Sequence, residues 1–321
     1  MKWQHLKAIL ALLAVITASA CASHTDTTAT KEVRLDYAYY NPLSLVVRDQ
    51  HLLENQGYKT TWVLSAGSNK ANEALRSNAI DIGSTAGAAA LVARANGTPI
   101  KIIGIYAKAE WTALVVGKNS PITSVADLKG KKIAVTKGTD PYFFLLQSLA
   151  AAGLSPSDVE IVNLQHADGK TALERRDVDA WSGLDPFMAQ TVLENGSRLL
   201  YRNPDFTSYG TLNAREDFAA AHPEAVKAVL NSYEEARKWA QAHPAELAAL
   251  LAREAKVSPS VAQAELERTD LTISATPGEA QRKVLTTILP IAVADGDIKS
   301  AQAGQDALGS IIEPKFADQA S

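Results

Sequence analysis

Residues 74–97, ALRSNAIDIGSTAGAAALVARANG, read as a helix, a short buried strand, a Gly/Ser/Thr turn and a second helix without a break. In Ala79-Ile80-Asp81-Ile82-Gly83 the apolar side chains alternate as on a strand, and Gly83 lets the backbone turn where a bulkier residue is strained. This spacing places Ser84, Thr85 and Ala86 at or near the first turn of the following helix. There, unpaired N–H groups and a partial positive charge can hold an anion without help from Arg or Lys. The same residues also suit an ordinary capped turn between strand and helix, so the surrounding sequence has to separate the two readings.

Working outward, the same unit recurs. Val33 to Tyr37 alternates as a first strand, Leu43 to Gln56 carries apolar residues at helical spacing, and Lys59 to Leu64 is a second strand. Ser65-Ala66-Gly67-Ser68-Asn69 is a small-residue turn before the next helix. Strands are expected at Ile80 to Ser84, Ile100 to Tyr106 and Trp111 to Gly117. A second series begins at Pro121, with a capping box from Ser124 to Asp127 and a strand at Lys132 to Thr136. It continues with the turn Lys137-Gly138-Thr139-Asp140-Pro141, a helix from Tyr142 to Ala152, and strands at Val159 to Val162 and Asp179 to Trp181. The last hundred residues carry helical patterns only.

The fold class this predicts is α/β, in two lobes: residues 33–117 plus 213–321 as lobe I, and residues 118–212 as lobe II. The chain would cross between them twice, near Val116 to Pro121 and near Tyr209 to Arg215. Two crossings make a hinge, and the cleft at the strand ends is where a ligand belongs.

Residues 1–21 stand apart as a signal peptide: Lys2 and Lys7, then an apolar run from Ala8 to Ala20 too short to span a bilayer. Ala18-Ser19-Ala20 fits a small-x-small cleavage site, whereas Ser19-Ala20-Cys21 fits the end of a lipobox, with Cys21 as the lipidation site. Cys21 is the only cysteine, so no internal disulfide can form. Residues 22–32 are a polar, Thr-rich tether. A formal charge of −3, with no basic stripe among aromatics, argues against nucleic acid as a partner.

Positive evidence for catalysis is missing. Phosphate-loop, dinucleotide, zinc-protease and nucleophile-elbow motifs do not occur, and no nucleophile pairs with a base. Of the six histidines, His51 and His166 lie outside the leader and helix starts, and with no second ligand at metal spacing both read as surface residues. Neither a metal nor a cofactor is implied. What remains are three turns before helices, Ala66-Gly67-Ser68, Ser84-Thr85-Ala86 and Gly138-Thr139-Asp140. Each can be a structural cap, but three converging on a cleft would offer an anion up to about 2 kcal/mol per helix end and about 1.5 to 3 kcal/mol per charge-assisted hydrogen bond. Micromolar affinity, about −8 kcal/mol, is then within reach. Trp181 could wall such a cleft or fill the core, and Asp185 before Pro186 suits an N-cap better than a ligand group.

These residues carry a resemblance. Ile80 to Thr85, Asn119 to Ile122 with Val125 to Val135, Lys137-Gly138-Thr139, and Val178 to Trp181 with Asp185-Pro186-Phe187 are similar to the extracytoplasmic solute-binding proteins of ABC importers for aliphatic sulfonates, whose superfamily includes nitrate, taurine and thiamine-precursor binders. The likeness runs from about Val33 to Ile312. It implies a type II periplasmic-binding-protein fold closing over a small organic anion such as an alkanesulfonate or taurine. Delivery would be to a membrane permease and its ATPase, by a monomer in the periplasm or at the cell surface, anchored to the membrane if Cys21 is lipidated. It also implies ligand contacts at Asn41, Gly67, Ser68, Ser84, Thr85, Gly138 and Thr139, with Trp181 as the wall. This chain departs from the pattern at Asp140, where the family often has Ser, at Ala86-Gly87-Ala88-Ala89 and at Leu184. Asp140 or Glu110 as the partner of a ligand ammonium gives the alternative, a receptor for a zwitterionic or cationic nitrogen compound such as a thiamine-pyrimidine precursor. An enzyme on the same scaffold would need a His or Cys in the cleft.

Overall fold

The computed structural model describes residues 31–318. The signal peptide, Cys21 and all but the last two residues of the tether lie outside the described residues. Of those two, Glu32 already belongs to the first strand.

Six strands form the first sheet, in the order β2 (Lys59–Leu64), β1 (Glu32–Tyr37), β3 (Ile82–Ala86), β10 (Gly210–Arg215), β4 (Ile100–Ala109), β11 (Thr269–Asp270). β1 (Glu32–Tyr37), β2 (Lys59–Leu64) and β3 (Ile82–Ala86) are parallel and are joined through α1 (Pro42–Asp49) and α2 (Ser68–Arg76). After α3 (Gly87–Ala95) comes β4 (Ile100–Ala109). β5 (Leu114–Val116), β6 (Lys132–Val135), β7 (Glu160–Asn163), β8 (Ala180–Ser182) and β9 (Arg198–Tyr201) make the second sheet, in the order β7, β6, β8, β5, β9. α4 (Asp140–Ala151), α5 (His166–Arg175) and α6 (Phe187–Asn195) follow β6, β7 and β8. The chain then returns to the first sheet as β10 (Gly210–Arg215), antiparallel to both β3 and β4. α7 (Glu216–Ala221), α8 (Pro223–Ala242), α9 (Pro244–Ala255) and α10 (Pro259–Leu266) lead to the two-residue β11 (Thr269–Asp270), and α11 (Glu279–Asp295) and α12 (Ala301–Ser310) complete the fold.

Apolar patterning explains the layers. Leu43, Leu45, Val46 and Val47 of α1 pack with Val226, Val229 and Tyr233 of α8 and Leu250 and Leu251 of α9 against one face of the first sheet. A second cluster takes in Leu91 of α3, Leu285 and Ile288 of α11 and Leu308 of α12, and continues without a gap into Ile133, Val135, Phe143 and Phe144 around the second sheet. Helix starts follow local chemistry: Asn41 caps α1 by accepting from Ser44 N, Ser124 and Asp127 form the expected capping box, and Pro223, Pro244 and Pro259 each begin a helix.

Two expectations fail. Ser84 and Thr85 do not open a helix; they lie inside β3, and α3 begins at Gly87. The cause is β10, which pairs Leu212 with Ser84 and Thr211 with Thr85 and so extends the ladder to Ala86. The segment Trp111 to Gly117, expected in lobe I, contributes β5 to the second sheet, paired with β8 and β9. The links between the sheets are therefore 110–113 and 202–209, earlier than the sequence suggests.

Candidate functional site

Every parallel strand of both sheets ends at one cleft. Tyr39 and Tyr40 follow β1, Leu64 and Ser65 lie at the end of β2, His166 opens α5 after β7, and Leu184 to Phe187 follow β8; together they line a chamber of about 450 Å³ counted out to its mouth. An adjoining chamber of about 210 Å³ is lined by Ser68, Ala86, Trp111, Thr139, Asp140 and Pro141, and shares Tyr40, His166 and Leu184 with the first. Crevices at the carboxyl ends of strands are the usual ligand site of open α/β sheets.

The cleft is short of fixed charge and rich in available polar groups. Among the described residues, no Lys or Arg lines either chamber. Ser68 Oγ accepts from Ala86 N at 2.9 Å, which leaves its own O–H for a ligand. Ser65 is buried, and its Oγ has no hydrogen-bond partner among the described residues, although it lies close enough to Asp36 to ease that carboxyl's ionisation. The first N–H groups of α2 and α5 have no intrahelical acceptors, so both helix starts bring partial positive charge to the cleft. The two starts touch: a Cβ on Gly67 would sit 2.9 Å from His166 Nε2.

His166 is 1% exposed, which corrects its expected place on the surface. Its Nδ1 meets Thr136 Oγ1 at 3.1 Å, and its Nε2 has no partner among the described residues. Burial pushes the imidazole down to about 3, so at neutral pH the ring is uncharged. His51, by contrast, is exposed.

The expected ligand residues divide into two groups. Ser68, Thr139 and Asp140 line the smaller chamber, and Gly67 stands against His166. Thr139 caps α4 from an extended backbone, and its hydroxyl donates to Thr136 O at 2.6 Å; Gly138 before it has φ +74°, a left-handed conformation that suits glycine. Ser84 is fully buried, and both its N–H (2.8 Å) and its hydroxyl (3.0 Å) donate to Asp36 Oδ1. Thr85 sits in a buried network, accepting from Asn213 Nδ2 at 2.9 Å. Asn41 Nδ2 donates to Tyr233 Oη. Trp181 is fully buried between the second sheet and α5, where its Nε1 would lie 2.6 Å from a Cβ on Gly169; it fills the core and lines neither chamber. Asp185 accepts from Ala189 N at 2.9 Å near the start of α6, as a cap does, and also pairs with Arg268 at 2.7 Å.

Neither carboxylate expected to meet a ligand cation is free to do so. Asp140 accepts from Trp111 Nε1 at 2.8 Å and from Ser208 N and Oγ at 2.8 and 2.6 Å; burial raises its pKa, and these three bonds oppose the rise. Glu110 is held by both ends of the Arg202 guanidinium at 2.6 Å. Asp36, buried in β1, is pushed up to about 7, chiefly by loss of water and against the Ser84 bonds. Tyr40, Ser65, Trp111 and His166 are among the lining residues that the sequence did not assign to the site. The signal present for Ser65 and His166 is position, since each begins the turn or helix after a parallel strand.

The NMT1/THI5-like family model matches residues 48–247. A protein of Escherichia coli (strain K12) named for binding aliphatic sulfonates is 30% identical over 251 residues, 77% of each chain. The taurine-binding periplasmic protein of the same organism is 31% identical over 63% of this chain and 64% of its own. Among solved structures, the alkanesulfonate-binding protein SsuA of Xanthomonas axonopodis pv. citri, bound to MOPS, superposes with a TM-score of 0.80 at 25% identity, covering 88% of this chain and 98% of that one. A desulfurization enzyme at 16% identity shares the fold alone. With the paired sheets and strand-end cleft already described, these matches establish that the chain belongs to the NMT1/THI5-like family.

Proposed function

We propose that this chain is the extracytoplasmic solute-binding protein of an ABC importer and that it captures a small sulfonate-like organic anion between its two sheets. The observation that carries this reading is the cleft itself. Two helix starts touch at Gly67 and His166, Ser68 holds a hydroxyl proton ready, and among the described residues no fixed cation lines the cleft. A sulfonate is spread over three oxygens and suits several weak N–H and O–H donors better than one point charge. Tyr39, Leu64 and Phe187 offer apolar surface to a short carbon chain.

In this reading 110–113 and 202–209 form a hinge between lobes I and II, and the closed receptor hands its cargo to a permease driven by a separate ATPase. It works as a monomer in the periplasm or at the cell surface, with Cys21 as a lipid anchor. Its role is binding, without a catalytic residue. The likeness to proteins named for binding sulfonates and taurine supports the ligand class. Isothermal calorimetry of the mature chain with ethanesulfonate, taurine, sulfate and nitrate tests it. Micromolar binding of an organosulfonate is expected, and silence toward every organosulfur ligand would overturn it.

A further inference from the structure

Thr136, Leu164 and His166 fix a proton position that the cleft can use. Thr136 Oγ1 lies 2.7 Å from Leu164 O, a carbonyl that can only accept, so the single hydroxyl proton goes there. The same Oγ1 lies 3.1 Å from His166 Nδ1 and must then accept, which puts the ring proton on Nδ1. Nε2 is left as a bare lone pair. It is buried, has no partner among the described residues, and belongs to a side chain that lines both chambers. Burial, which disfavours the imidazolium, keeps Nε2 without a proton at neutral pH.

A lone pair at that place attracts an N–H or O–H and repels an anion's oxygen. Leaving it unmet in a closed cleft costs the binding free energy of one buried acceptor, so ligands that supply a donor are selected over those that do not. Asp140, the carboxylate of the smaller chamber, already has three donors, and Asp185, the carboxylate of the larger one, accepts from Ala189 N and from the Arg268 guanidinium, so neither competes for that donor. Gly67 leaves the space the ring occupies.

We propose that His166 is a specificity-determining residue whose Nε2 accepts a hydrogen bond from the ligand, so that the receptor prefers an organic sulfonate bearing an amino or hydroxyl group to the same sulfonate without one. This rests on the sulfonate reading given above. The competing outcome is that a bare anion drives a proton onto Nε2 and uses it as a donor.

Calorimetry with taurine, isethionate and ethanesulfonate, each in two buffers of different ionisation enthalpy, separates these. Wild type should bind taurine and isethionate at least tenfold more tightly than ethanesulfonate, with no net proton uptake. In His166→Leu, taurine and isethionate should lose tenfold or more while ethanesulfonate changes less than threefold. Thr136→Val, which frees the ring to exchange tautomers, should lose part of the preference. Nitrogen NMR of the free wild-type protein should show His166 protonated on Nδ1, and a proton on Nε2 instead overturns the proposal. Equal affinity for the three sulfonates, or uptake of one proton with ethanesulfonate, overturns the proposal. Failure of all three to bind wild type would instead sink the sulfonate reading on which it stands.

Discussion

The carboxylate of Asp140, first residue of α4, accepts the indole N–H of Trp111 at 2.8 Å, while its other contacts come from Ser208. Trp111 lies in the first link between the sheets and Ser208 in the second. One buried side chain therefore ties the start of a second-sheet helix to both links, and the residue expected to meet a ligand serves instead to hold the chain's crossings together.

Replacing Asp140 with Asn keeps the size but swaps an acceptor oxygen for an NH₂ facing donors. At least one buried N–H or O–H is then unpaired, at a cost of about 1 to 3 kcal/mol. Urea unfolding should register that loss, and calorimetry should show taurine and ethanesulfonate weakened to the same extent. Selective loss of taurine would return Asp140 to the role of ammonium partner.

Two buried groups give opposite pH dependences. Asp36 in the folded chain stays protonated up to about 7, against an ordinary 3.8, so between these values the folded state binds more protons than the unfolded. Its stabilising contribution is complete below about 3.8 and is lost as pH rises through 7. His166, lowered to about 3 from 6.5, runs the other way: its contribution is complete above 6.5 and is lost as pH falls toward 3. Each pH unit over which folded and unfolded states differ by one proton is worth about 1.4 kcal/mol. Urea unfolding between pH 4.5 and 7.5 should therefore show wild type losing ground to Asp36→Asn as pH rises. A constant difference between them would mean that Asp36 ionises in the folded chain without penalty.

Gly67→Ala probes the meeting of α2 and α5. The backbone there is extended and accepts alanine, but the new Cβ would fall 2.8 Å from Asn69 Oδ1 and 2.9 Å from His166 Nε2. His166 lines both chambers and Asn69 is only half-buried, so the two can give a little and unfolding free energy should fall by about 1 kcal/mol. Sulfonate affinity should drop tenfold or more by calorimetry. Unchanged affinity would place the ligand away from this junction.

Gly169→Ala tests how α5 is seated. Its Cβ would lie 2.6 Å from Trp181 Nε1, and the buried indole has no room to retreat. Destabilisation of about 1 to 3 kcal/mol is expected, with a shift in tryptophan emission. Adding Trp181→Phe should restore part of the stability, because the smaller ring clears the clash. A second change that only deepens the loss would show that Gly169 matters for another reason.

Local signals were enough for the recurring strand, turn and helix units. Apolar alternation set β1, prolines opened α8, α9 and α10, and Ser124 with Asp127 announced their own capping box. The lining of the candidate cleft was partly legible for the same reason: a small-residue turn after a strand marks a helix start, and Ser68, Thr139 and Asp140 line the smaller chamber.

Residue pattern alone thus shows that the chain is α/β, that helix starts follow its strands, and to which family it belongs, because periodicity, capping and motif order are local properties. What each polar side chain faces was settled by packing. Ser84 turned from ligand contact to partner of Asp36, and Trp181 from wall to core. His166 moved from the surface to the cleft, where its unpaired Nε2 remains. Those outcomes depend on groups dozens of residues away, above all β10 pairing with β3 across more than a hundred positions. A hydrogen bond is spent where its partner lies in space, and no pattern along the chain records that.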